Sequence, residues 1–199
     1  MECKTVYHDK PGGDENTSTT LKLAKQRAEE LGIKTIVVAS TVGGTAVKAV
    51  DIFKGYKVVV VTHTDGFREP NTQEFTAENR KIVQQAGGII LTTTHAFGGV
   101  HRALAPEGTR PLPSNNMGDV IAMSLRMFGQ GMKVVCEIGA MAADAGLVRT
   151  DEECIAIAGT GRGADTAALL RATFPNLIFS KDPSKRLIIK EVIAMPRDK

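Results

Sequence analysis

Two glycine-bearing stretches hold most of the residues suited to ligand chemistry. The first is Ser40-Thr41-Val42-Gly43-Gly44-Thr45-Ala46. Its glycines allow a tight turn and a close approach of backbone to ligand. Ser40, Thr41 and Thr45 add hydroxyl donors, and a helix starting here adds unpaired N–H groups with partial positive charge. That combination suits a phosphate. An ordinary strand-to-helix turn with a hydroxyl cap is an equally good reading, because the P-loop pattern G-x-x-x-x-G-K-[ST] is absent. The second stretch is Gly159-Thr160-Gly161-Arg162-Gly163-Ala164-Asp165-Thr166. Arg162 presents a planar donor fork suited to an anion. Gly159, Gly161 and Ala164 also fit G-x-G-x-x-[GA], with Asp182 at a ribose-binding interval. No second mononucleotide-binding half can follow so near the C-terminus, so an anion or ligand loop is the better reading. Asp165 has a blander alternative as a helix cap.

Polar groups also follow other apolar runs. Thr62-His63-Thr64-Asp65-Gly66-Phe67 comes after four valines, and Thr92-Thr93-Thr94-His95 after Ile89–Leu91. A lone histidine near a sheet edge usually bonds backbone, but His63 and His95 share the same kind of position, which favours function. Glu137, with Asp144 beyond it, is expected at the end of a Met132–Ile138 strand; as a general base it needs a raised pKa and a nearby substrate. No metal is expected, since His95 and His101 do not have helix-face spacing. Cys3, Cys136 and Cys154 are odd in number and widely spaced, which excludes a disulfide scaffold or zinc site. Cys136 and Cys154 lie in apolar runs and are expected to be buried thiols.

The elements that must position these residues alternate. Strands are expected at Thr5–Tyr7, Lys34–Ala39, Tyr56–Thr62, Ile89–Thr93, Met132–Ile138, Cys154–Ala158 and Arg186–Met195, with another over Leu177–Phe179. Helices are expected from an Asn16 or Thr17 cap to Leu31, over Thr45–Phe53 and Thr76–Ala86, after an Asn115 cap, and over Ala164–Thr173. Pro106–Ser114 reads as a loop, and Gly139–Gly146 as a short helix or tight turn. Such alternation implies a three-layer α/β domain over 1–199, with a mostly parallel, doubly wound sheet. Ligands in such sheets bind outside the carboxyl ends of the strands, near a topological switch point.

Composition narrows the class. The chain has 199 residues, 42% hydrophobic and 24% charged, as ordinary globular domains do. A net charge of +3 is too small to point to a polyanion, and 5% aromatic residues without tryptophan argue against a base-stacking surface. No nucleic-acid partner is therefore expected. No apolar run approaches ~18 residues, so no membrane span is expected, and the reduced cysteines suit the cytoplasm. Met117, Met123 and Met127 form a stripe that could serve a homo-oligomer, with core packing the stronger reading.

The stretch Ile36–Thr62, IVVASTVGGTAVKAVDIFKGYKVVVVT, resembles the core of the C-terminal α/β domain of pyruvate kinase. With VVVVTHTDGF, EIGAMAADAG, IAIAGTGRGADTAALLR and IAMPR, the whole chain resembles a family of stand-alone pyruvate kinase alpha/beta domain proteins, largely archaeal and bacterial. In pyruvate kinase the matching loop holds a phosphate of an allosteric sugar bisphosphate. Gly43, Thr45 and Ala46 match that loop. Val42 replaces its usual hydroxyl and Gly44 a frequent basic residue, which speaks against a sugar bisphosphate. The resemblance implies no pyruvate kinase activity, since 199 residues cannot also hold a barrel of ~250. It implies instead a phosphorylated ligand, flavin mononucleotide (FMN) foremost, with flavin-dependent oxidoreductase chemistry as an extension. Its phosphate would sit in a Gly/Thr loop and its ring near Phe67. The alternative is a non-catalytic sensor or regulatory module for a phosphorylated metabolite.

Overall fold

Runs of β-branched residues dictate the centre of the molecule. In the computed structural model, which describes residues 4–99 and 117–198, they form β2 (Thr35–Ala39) and β3 (Lys57–Val61). Around them come β1 (Val6–His8), α1 (Asp14–Leu31), α2 (Gly44–Ile52), α3 (Ala77–Gln85), β4 (Ile89–Leu91), α4 (Met117–Arg126), α5 (Gln130–Asp144), β5 (Glu153–Ala158), β6 (Thr166–Arg171) and β7 (Ile188–Pro196). The sheet order is β1-β7-β6-β5-β2-β3-β4. Pairing is parallel except on the two sides of β6.

Both faces of the central strands are covered, which is why β2, β3 and β5 are almost wholly apolar. Ile36 and Val38 point toward α1, α2 and α3, where Leu21, Ala49 and Val83 are fully buried. Val37 points the other way, onto Met132, Val135 and Ile138 of α5. The expected three-layer, mostly parallel α/β architecture is the one observed.

The chain leaves β2 toward β3 on one side and leaves β5 toward β6 on the other. These adjacent parallel strands, paired Ile36 to Ile155 and Val38 to Ile157, therefore mark the topological switch point. The Ser40 and Gly159 stretches start at their carboxyl ends.

Several expectations change. Met132–Ile138 is helix, continuous with Gly139–Asp144 in α5. Nearly the whole circumference of α5 is buried, so its apolar run carries no one-sided signal. Residues 166–171 are strand, not helix; the Ala-Ala-Leu-Leu composition favours helix, but pairing with β5 and β7 overrides it. Leu177 closes a 3-10 turn, Pro175–Leu177, rather than opening a strand. Asn16 and Thr17 lie inside α1, whose N-cap is Gly13. Pro106–Ser114, Asn115, His101 and Cys3 lie outside the described residues.

Candidate functional site

The loop after β2 turns into α2 at Gly43, which has φ of 107°. A side chain there would be strained, and its Cβ would collide with Asn79. Asn79 lies in the first turn of α3, and its Nδ2 donates to the Val42 carbonyl at 2.9 Å. Gly43 therefore serves the close approach of α3, whereas Gly44 faces open space. Ser40 Oγ accepts from the Ala46 N–H at 3.3 Å and is buried. Gly44 is exposed and Thr45 half-buried at the amino end of α2, where the N-cap Gly43 offers no side chain and Ser40 takes one first-turn N–H.

The strand ends beside this loop bring aromatic rings together. His63, after β3, stacks on Phe67 with ring centroids 4.0 Å apart. His95, after β4, lies 5.5 Å from His63 and 5.4 Å from Phe67. Gly66, at φ of 68°, turns the chain so that Phe67 can fold back. His63 Nδ1 donates to Glu74 Oε2 at 2.6 Å, which leaves Nε2 toward Thr41 Oγ1 at 3.4 Å. Burial alone would raise the Glu74 carboxyl. Hydrogen bonds from His63 and Arg68 outweigh it and hold the group below the ordinary carboxylate range. Thr62 shares its buried hydroxyl with Thr92 at 2.7 Å and ties β3 to β4 instead of facing the crevice.

Thus Ser40, Thr41, Gly43, Gly44, Thr45, His63, Phe67 and His95 gather around the carboxyl ends of β2, β3 and β4. Gly159, Thr160, Gly161, Arg162 and Gly163 form a turn into an antiparallel strand, with no helix behind it. The dinucleotide fingerprint loses its physical basis there, because its pyrophosphate needs a helix N-terminus. This turn is tied instead to the loop before α1. Gly13 N–H donates to Arg162 O at 2.9 Å, and Ala164 N–H donates to Thr17 Oγ1 at 2.8 Å. Asp165 is fully buried and accepts from Gly12 N–H, Thr160 N–H and Thr166 Oγ1 at 2.7, 3.0 and 2.7 Å. It staples three segments and caps no helix. Arg162 stays exposed at the tip.

Glu137 sits in the middle of α5, not at a strand end. Its Oε1 accepts from the Phe97 N–H at 3.1 Å and its Oε2 pairs with Lys133, so it fastens the His95-bearing loop to α5. Asp144 ends the same helix. Burial, with lesser contributions from Glu137 and Glu153, pushes the Cys136 and Cys154 thiols up to about 12. They are inert structural groups.

Sequence reasoning passed over Glu74, Asn79, Lys133 and the Gly12-Gly13 loop. The Pro11-Gly12-Gly13 run after a short strand signalled that loop. Nothing local marked Glu74 or Asn79, whose roles depend on partners in other loops.

The family model for the pyruvate kinase alpha/beta domain matches residues 18–171, well over half of the chain. The chain belongs to the pyruvate kinase alpha/beta domain family. The match runs from within α1 through the end of β6 and so includes both glycine stretches and the ring cluster. A similar solved structure is the Cryptosporidium parvum pyruvate kinase in complex with ADP, at 13% identity and a TM-score of 0.36. That likeness covers 80% of this chain but only 24% of the enzyme, so the chain spans about a quarter of its length. Membership in the alpha/beta domain family rests on the family match alone.

Proposed function

We propose that the chain binds a phosphorylated small molecule at the carboxyl ends of β2, β3 and β4. One observation supports this above the rest: the amino end of α2, where Gly44 is exposed, follows a loop whose Thr41 Oγ1 lies 3.4 Å from His63 Nε2, in the ring cluster of His63, Phe67 and His95. An anionic group is favoured at such a helix end. A planar ring is favoured against an aromatic surface, where pairs contribute about 0.5–1.5 kcal/mol beyond burial. FMN combines one phosphate with one broad ring and is the occupant we propose. Gly44, Thr45 and Thr41 would hold its phosphate, and Phe67 with the two histidines its ring. A bound flavin would supply any redox chemistry; the chain's own residues bind and orient it.

The second reading is a non-catalytic regulatory module for a phosphorylated metabolite. Family membership favours it, because in pyruvate kinase this domain is non-catalytic and binds effectors.

The absorption spectrum of the freshly purified chain is the first test, followed by titration with FMN, riboflavin and fructose 1,6-bisphosphate. A flavin spectrum, or FMN binding at least about tenfold tighter than riboflavin, supports the first reading. A colourless protein that is stabilised only by the sugar phosphate supports the second. Equal affinity for FMN and riboflavin overturns the placement of a phosphate at α2.

A further inference from the structure

The face of the sheet opposite α1, α2 and α3 carries a second cavity, away from the amino end of α2. It has a volume of about 510 Å³ and lies between α4, α5 and the chain leading into β7. Phe97 and Cys136, both almost fully buried, form its floor. Ile121 and Leu125 of α4 form one wall. Phe179, 71% exposed, stands at the mouth with Arg186. The thiol on the floor is neutral, its pKa raised by burial to about 12.

The volume falls within the range of small-molecule sites, about 300–1,000 Å³, and the lining has their usual pattern of apolar walls with few polar groups. An unfilled void of this kind deprives its walls of packing contacts. Arg186 supplies the one charge among the described lining residues. It is exposed, and it makes no hydrogen bond or ion pair with any described residue. A guanidinium so placed matches a carboxylate, which it can bind with two parallel N–H donors.

From the apolar cavity and the guanidinium at its mouth, which has no partner among the described residues, we infer that this is a binding site for an amphiphilic monocarboxylate of the medium-chain fatty-acid class. The hydrocarbon chain fills the space above Phe97 and Cys136, and the carboxylate pairs with Arg186. The inference is independent of the phosphate-ligand reading, which concerns residues at the carboxyl ends of β2, β3 and β4.

The chain has no tryptophan, so Phe179→Trp places a single reporter at the mouth. Decanoate, kept below its micelle concentration, should shift the reporter's emission to the blue and saturate at one site. Calorimetry on the unsubstituted chain should give the same affinity within about twofold. Decanol should bind about fivefold more weakly, the size of a modest ion pair. Arg186→Gln, added to the reporter variant, should bring decanoate down to the level of decanol; the side chain has no described partner, so folding is unaffected. Unchanged emission, equal binding of decanoate and decanol, or full decanoate affinity in Arg186→Gln overturns the inference. So does a sedimentation result in which the ligand-free chain is a dimer that Val120→Arg converts to monomer, since a second copy then covers the cavity.

Discussion

Neighbouring glycines at the start of α2 do different work. Gly43 needs its positive φ and the absence of a Cβ so that Asn79 can approach, so substitution there disturbs packing before any ligand arrives. Gly44 meets nothing within 4 Å and gives the cleaner test. Gly44→Asp places a carboxylate in the first turn of α2, which should stabilise the free protein by about 0.3–1 kcal/mol. The same charge should repel a phosphate and weaken FMN at least about tenfold, with riboflavin little changed. Thermal melts and parallel titrations of the two ligands check both halves. His8 gives a second prediction at this scale. It is 7% exposed, and its Nε2 bonds Thr20 Oγ1 at 2.8 Å. Burial lowers its pKa from 6.5, only partly opposed by Asp165. The unfolded chain therefore takes up a proton before the folded one. Stability is full above about pH 6.5 and falls as pH drops through the folded value. Urea unfolding at pH 7.5 and 5.5 should show this loss, and His8→Gln should reduce it. The candidate ligand groups were legible here because glycines and hydroxyls next to an apolar run have a local meaning. Glu74 was not, because its role depends on His63, eleven positions away along a folded loop.

The elements most misleading in sequence are those that touch the most neighbours. α5 reads as a strand because residues 131–143 are buried around almost the whole helix. β6 reads as a helix because small and leucine residues are good helix formers, yet it is the strand that links β5 to β7. The two meet at Gly131, where an added Cβ would overlap Thr166 Oγ1 and lie 2.8 Å from Asp165 Oδ1. Gly131→Ala, ordinarily favourable within a helix, should here cost about 1–3 kcal/mol through overpacking. Urea denaturation measures it, and a Gly131→Ala protein as stable as the parent would mean that α5 shifts freely against β6. By contrast α1, α2, α3 and β2 to β4 were legible, since one-sided helices and short β-branched runs declare their period locally.

At the scale of the whole molecule, α1 must be held beside α2 on the face formed by β5, β6 and β7. Arg27 does this from a nearly buried position, with two hydrogen bonds of 2.7 Å to Glu191 of β7 and one to Glu30. Arg27→Ala leaves Glu191 without its fork and should cost about 2–3 kcal/mol, less than the 3–5 expected for a fully buried pair because Glu191 is 22% exposed. Urea unfolding, with Glu30→Gln as the control for the weaker arm, provides the check. The amino-acid order by itself determined the alternation of strands and helices as far as β4, the α/β class, the apolar central strands and the two glycine stretches, because each follows from propensity and period within about ten residues. Only the tertiary structure decided that β6 runs antiparallel, that the Gly159–Gly163 turn grips the loop before α1, and that His63, Phe67 and His95 form one ring cluster. Those outcomes depend on strand order and on contacts between segments far apart in the chain, and no local pattern encodes which neighbour a strand will take.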